Sequence, residues 1–312
     1  MKIFTSATIP KKYKDSAIAI GNFDGVHIGH QKVFRESKKA AKRKKIKFGI
    51  LTFNPLPAIF FNKKIKNFRL TSEKQKLKIF KKHKVDFVIN IKFNKKFSKI
   101  SAEDFIEKII YRKINAKLLA VSNNFKFGKN RKGNINLLKK FSKKYNYRLL
   151  NIKPFKYLDK TISSTKIRKS LKSGQLNLAN KLLSRTWSVE GSVIAGRKVG
   201  RKLGYRTCNI DVKNYILPSV GIYVVKILIG SKKNIYGGVA YLGSRPTFGG
   251  KHIFLEINIF GINKNLYKKN LKVYFLKFLR SDKKFKNSEQ LIRQMNKDVI
   301  FAKKGLKTKL VL

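Results

Sequence analysis

The stretch Gly21-Asn22-Phe23-Asp24-Gly25-Val26-His27-Ile28-Gly29-His30 decides how the first half of this 312-residue chain folds. It stands where a β-rich run, 17–23, gives way to a helix-period run, 29–44. Glycines let the backbone turn there and let an anion approach the main chain closely. The helix start that follows offers unpaired N–H groups and a positive dipole end to such an anion. His27 and His30, spaced i, i+3, can both face a bound triphosphate and stabilise charge that develops when an α-phosphate is attacked. Gly21, Asn22, Phe23, Asp24, Gly25 and Gly29 complete this candidate triphosphate site. A strand–glycine–helix turn alone is only a tight turn; the two histidines at the first βα junction make it more than that. As zinc ligands they would need partners from Asp or Glu, since the single cysteine, Cys208, lies far along the chain.

Working outward, β-rich runs at 47–53, 85–91, 117–122 and 148–152 alternate with helical periods at 72–83, 101–112 and 134–145. That βαβ alternation predicts a Rossmann-like parallel sheet covered on both faces, with ligands outside the carboxyl ends of its strands. Short helices follow, one opened by Ser163-Ser164-Thr165 and one over 176–183. After Trp187 the texture changes to six short alternating runs, at 189–195, 207–212, 222–229, 235–241, 253–260 and 271–279. They predict a six-stranded antiparallel β-barrel. A closing helix over 288–303 carries Leu291, Met295, Val299 and Ala302 on one stripe. The fold class is therefore α/β followed by β, with domains at 1–185 and 186–312.

Composition narrows the function classes. A hydrophobic content of 42% with 12% aromatic residues fits globular domains. No apolar run approaches the roughly 18 residues of a membrane helix, and 1–14 lacks the apolar core of a secretory signal. One cysteine excludes an internal disulfide framework and suits the cytoplasm. Lys+Arg 75 against Asp+Glu 15 gives a net charge of +60. The lysines are spread over nearly every segment, including helix faces such as 74–84, and accompany abundant Ile, Asn, Phe and Tyr. This reads chiefly as the mutational bias of an AT-rich genome on a solvated basic surface. Non-specific association with nucleic acid at low salt is expected as a by-product without function.

A second phosphate clamp is suggested by Ile162-Ser163-Ser164-Thr165-Lys166-Ile167-Arg168, with hydroxyls at a helix start and Arg168 one turn in. On its own it is equally an N-cap with an exposed arginine. Beyond Trp187, spaced glycines at Gly196, Gly200 and Gly204 describe either a flap over phosphates or a basic hairpin. Thr207 and Asn209 alternate on one strand and so share a face. Glu256 stands alone among apolar strand residues; by residue type it is a proton acceptor or an acid paired with one of many lysines. No GxxxxGK(S/T) occurs, which disfavours a P-loop kinase.

The first turn and the 162–168 segment together resemble the HxGH nucleotidyltransferase superfamily. Within it, the resemblance is to the bacterial bifunctional riboflavin kinase/FAD synthetase and spans about 17–299. Thr52-Phe53-Asn54-Pro55-Leu56-Pro57 is similar to that family's TFxPxP segment, with Leu56 where many members are polar. Val121-Ser122-Asn123-Asn124-Phe125-Lys126-Phe127-Gly128 resembles VGxDFxFG, with Ser122 and Asn124 replacing Gly and Asp. The segment 191–210 resembles GxVxxGxxxGRxLGFPTAN, with Arg206 in place of the usual Pro. The resemblance implies phosphorylation of riboflavin to FMN in the barrel and adenylyl transfer from ATP to FMN, giving FAD, in the first domain. It implies ATP contacts from Ser163, Ser164, Thr165 and Arg168, and a flavin side formed by Asn124, Phe125, Phe127 and Gly128. In the barrel it implies ATP contacts from Gly196, Gly200, Arg201, Thr207 and Asn209, with Thr207 and Asn209 also holding Mg²⁺. Glu256 becomes the general base and Arg280 a flavin contact. Riboflavin, FMN and ATP are the implied partners, with no membrane.

Overall fold

Short runs of Ile, Val, Leu and Ala form six parallel strands, β1 (Lys2–Phe4), β2 (Ala17–Ile20), β3 (Phe48–Asn54), β4 (Phe87–Lys92), β5 (Leu118–Ser122) and β6 (Arg148–Ile152). Their order is β1-β4-β3-β2-β5-β6. The computed structural model describes residues 1–195, 204–230, 234–247 and 250–306. The chain forms two compact units, one of Met1–Ile65 with Glu73–Ser163, the other of Lys66–Ser72 with Ser164 onward.

In the first unit, alternate strand residues feed two cores, one on each face of the sheet. Ile18, Ile20, Leu51, Phe53, Ile89, Leu119 and Val121 join one cluster, while Ala17, Ala19, Ile50, Val88, Leu118 and Ala120 join the other. Burial on both faces is why these strands read as unbroken apolar runs. The helices are α1 (Ile28–Arg43), α2 (Pro57–Phe61), α3 (Glu73–Lys82), α4 (Lys95–Ser98), α5 (Ala102–Asp104) and α6 (Ile135–Lys144). Phe34 of α1 and Phe80 of α3 pack into the second cluster. Two features depart from the sequence expectation. The helix expected over 101–112 continues from α5 as a π-helix, Phe105–Ile114, that buries Phe105, Ile106, Ile109, Ile110 and Ile114. Lys2–Phe4 adds an edge strand whose three residues are too few to show a period. A two-stranded hairpin, β7 (Lys156–Tyr157) with β8 (Lys160–Thr161), ends the unit.

In the second unit, α7 (Ser164–Lys172) and α8 (Leu176–Leu183) precede the barrel. Its strands are β9 (Ser188–Ile194), β10 (Thr207–Asp211), β11 (Gly221–Ile229), β12 (Ile235–Thr247), β13 (Gly250–Ile259) and β14 (Asn270–Arg280). They close in the order β10-β13-β12-β11-β14-β9, all antiparallel. Closure removes the free edges that an open antiparallel sheet would expose. Segment 66–72 pairs with this unit: Trp187 Nε1 donates to the Leu70 oxygen at 2.9 Å and Ile216 N to the Arg69 oxygen at 2.8 Å.

The terminal helix α9 (Ser288–Gly305) packs on β11, β12 and β14. Its expected stripe is only partly right, because Leu291, Met295 and Val299 are half-buried and only Ala302 is fully so. The deepest polar anchor is Asp298, 6% exposed at its side chain, which takes a bidentate pair from Arg280 at 2.9 and 2.7 Å. Arg280 Nη1 also donates to the Ser281 oxygen at 3.1 Å. Removing one partner of a buried pair strands the other charge. Asp298→Ala is therefore expected to destabilise the second unit by about 3 kcal/mol. Urea unfolding followed by the fluorescence of Trp187, the single tryptophan, checks this. No described helix is long and apolar enough to cross a membrane.

Candidate functional site

The first site is built on a turn between β2 and α1. Gly21 N donates to the Leu51 oxygen at 3.1 Å, holding the turn to the sheet. Phe23, Gly25 and Val26 all have positive φ, at 48°, 79° and 42°. A β-branched residue in that region is a true outlier, and such strain collects where backbone groups serve a ligand. Buried Phe23 and Val26 side chains hold it in place. His27 caps α1, its Nδ1 accepting from His30 N at 3.4 Å. With Nδ1 an acceptor, the neutral ring carries its proton on Nε2, which is then a donor. The two imidazoles stack with centroids 3.6 Å apart and planes at 20°. His30 also meets the Phe23 ring edge-on at 5.2 Å. The histidines predicted to act together are thus in contact. Asp24 and His27 are buried, Asn22 is exposed, and Gly21 and Gly29 are half-buried.

The flavin-side segment follows β5 in the same unit. Ser122 Oγ donates to Asn124 Oδ1 at 3.0 Å, so the two residues that depart from the family pattern are partners of one another. Phe125 and Phe127 stack at 5.4 Å and 17°. Gly128, at φ 73°, passes so close to Ala102 that an added Cβ would lie 2.7 Å from its backbone. Only glycine fits there. Leu56 is 3% exposed, so this departure sits where an apolar side chain is favoured.

Ser163 ends the first unit, and Ser164, Thr165 and Arg168 lie on or before α7 in the second. Arg168 is half-buried, not exposed: its Nε donates to the Phe68 oxygen at 2.8 Å and its guanidinium lies 3.7 Å over the Phe68 ring. Segment 66–72 was not singled out in the sequence, yet it is what orients this arginine.

In the barrel, register does the assembly. β10 and β13 pair Asn209 with Glu256 and Thr207 with Asn258. Residues directly opposite across a ladder share a face, and Thr207 Oγ1 donates to Glu256 Oε1 at 2.7 Å. The three residues expected to work together therefore converge. Asn209 is 7% exposed and its Oδ1 is buried with no hydrogen-bond partner among the described residues. An oxygen left so is costly unless something accepted from outside completes it. A cavity of about 340 Å³ opens beside Thr207, lined also by Arg206, Cys208, Ile257 and the 262–267 loop. Arg206, in place of the usual proline, donates to the Asn263 oxygen at 2.7 Å and so ties β10 to that loop. Burial pushes the Cys208 thiol up to about 12, with the Glu256 charge adding to the effect. It stays protonated and unreactive at neutral pH. Gly196, Gly200 and Arg201 lie outside the described residues. Arg280 is engaged by Asp298, as above.

Comparison with known proteins agrees with both halves. The FAD synthetase family model matches residues 9–166 and the riboflavin kinase family model residues 183–306. A bifunctional riboflavin kinase/FMN adenylyltransferase of Buchnera aphidicola (Schizaphis graminum) is 40% identical, covering 95% of this chain and 96% of its own. That of Haemophilus influenzae is 36% identical over 92% and 93%. A crystal structure described as a macrolide-efflux protein from Streptococcus pneumoniae superposes with a TM-score of 0.85 at 27% identity, covering 96% of this chain and 98% of its own. The chain belongs to the bifunctional riboflavin kinase/FMN adenylyltransferase family, its FAD synthetase segment first and its riboflavin kinase segment second.

Proposed function

We propose that the two reactions of the family, phosphorylation of riboflavin to FMN and adenylylation of FMN to FAD, run in this chain at the two places just described. Residues 1–185 are assigned the adenylyl transfer and 186–312 the kinase step. The observation that carries the reading is the convergence of Thr207, Asn209 and Glu256 through the β10–β13 register.

In the kinase step the terminal ribityl hydroxyl attacks the γ-phosphate of ATP and ADP leaves. Glu256 takes the hydroxyl proton, and the Thr207 hydroxyl orients its carboxylate. Thr207 and Asn209 would hold Mg²⁺; an all-oxygen pair with an unsatisfied buried Asn209 Oδ1 suits that ion. When bound, the ion neutralises charge on the transferring phosphates. Gly196, Gly200 and Arg201 are assigned to the ATP phosphates, and Arg280, fixed by Asp298, to the flavin side.

In the adenylyl transfer a phosphate oxygen of FMN attacks the α-phosphate of ATP, and pyrophosphate leaves. No covalent step on the protein is needed. The turn from Gly21 to His30 receives the triphosphate, and the imidazoles donate to the charge that develops on it. Ser163, Ser164, Thr165 and Arg168 are assigned to ATP contacts of this step by the family pattern, and Asn124, Phe125, Phe127 and Gly128 to the flavin. The cytoplasm, where ATP and flavin are available, is the proposed location. Salt-sensitive association with nucleic acid follows from the +60 charge and serves no function in this reading.

The test is direct. Purified protein given riboflavin, ATP and Mg²⁺ is expected to form FMN first and FAD after it, separated by chromatography. Absence of both products would overturn the reading, and FMN without FAD would confine it to the barrel.

A further inference from the structure

Lysines recur along α3, and Lys74 and Lys78 are exposed as a solvated face requires. Lys76 is different. It is 2% exposed, the one buried lysine among the described residues. Its Nζ donates to Thr52 Oγ1 at 3.1 Å, and Thr52 Oγ1 donates to the main-chain oxygen of Asn22 at 3.2 Å. Thr52, at the end of β3, is itself fully buried. A buried ammonium is therefore linked, through one hydroxyl, to the backbone of the strained turn that leads to His27 and His30.

Burial of a cation is costly unless it is paired or hydrogen-bonded. An apolar side chain of similar length would fill the space at no such cost. Packing alone therefore gives no reason for a lysine here. Charge does, because a cation out of water is screened little and acts over a longer range. The turn beside it has Phe23 and Val26 in unfavourable backbone conformations, and its carbonyls must be held for its N–H groups to stay aimed.

We propose that Lys76 is a positioning residue of the adenylyl transfer. Through Thr52 it fixes the Asn22 carbonyl, and its charge adds to the attraction of the turn for a triphosphate. The inference rests on the assignment of ATP to the Gly21–His30 turn.

The experiment uses the full chain carrying Lys76→Met, Thr52→Val or both, with FAD formation from FMN and FMN formation from riboflavin measured in the same preparation. In Lys76→Met the KM for ATP in FAD formation is expected to rise about 10- to 100-fold, the range for losing a hydrogen bond to a charged group. Its kcat falls less, and riboflavin phosphorylation is unchanged. Thr52→Val shifts KM in the same direction, and the double variant is no worse than Lys76→Met, as for members of one relay. Thermal unfolding of Lys76→Met is measured alongside, so that any loss of packing is read separately from the change in KM. A purely structural lysine predicts a lower unfolding temperature with normal KM for ATP, and that normal KM overturns the proposal. Should Lys76→Met fail to fold, Thr52→Val decides, and an unchanged KM in it is equally fatal. His30→Ala serves as the control: if it too leaves FAD formation intact, the assignment of the turn fails first.

Discussion

Glu256→Gln is expected to lower riboflavin phosphorylation by about 100- to 10,000-fold, the range for losing a general base. The substitution keeps size and hydrogen-bonding capacity, and its amide oxygen can still accept from Thr207 Oγ1, now 2.7 Å from the carboxylate. What it loses is the ability to take the ribityl proton. The loss should fall on kcat, because the base acts in the transition state and not in binding. FAD formation from supplied FMN should remain, since it is assigned to a different segment of the chain. Both rates are read from one chromatographic assay with either riboflavin or FMN as the substrate. A variant that phosphorylates riboflavin normally removes Glu256 from the mechanism; one that loses both activities argues against two separate sites.

His30→Ala is expected to produce the reverse pattern. FAD formation should fall about 100- to 1,000-fold, as when one donor to a developing anion is removed, while riboflavin phosphorylation persists. The helix should survive, because alanine is a strong helix former and the backbone N–H of residue 30 still reaches His27 Nδ1. His27 loses its stacking partner, 3.6 Å away. Single-turnover measurement with FMN and ATP separates a slower chemical step from weaker binding. Unchanged FAD formation would exclude His30 from the reaction.

Both predictions could be framed from the sequence, and the reasons are physical. A buried parallel strand is apolar throughout, a turn that must bend sharply beside an anion needs glycine, and a barrel strand alternates. Each leaves a local mark, so 17–20, 48–54, 148–152 and 176–183 emerged within a few residues of their structural limits. The departures from the family pattern were equally visible as residues, but not their consequences. That Ser122 and Asn124 bond to each other, or that Arg206 reaches the Asn263 oxygen, depends on where side chains point.

The amino-acid sequence alone determined the class of each half, the order of their strands along the chain and the residue types at both sites, because periodicity and turn chemistry act over a few residues. Tertiary structure decided what depends on distant segments meeting. It set Glu256 opposite Asn209 across 47 positions by strand register. It drew segment 66–72 into the second unit to hold Arg168 and Trp187. It also turned one lysine of α3, indistinguishable in sequence from its neighbours, away from solvent. Burial is a property of the packed whole, and no local pattern in a lysine-rich helix encodes it.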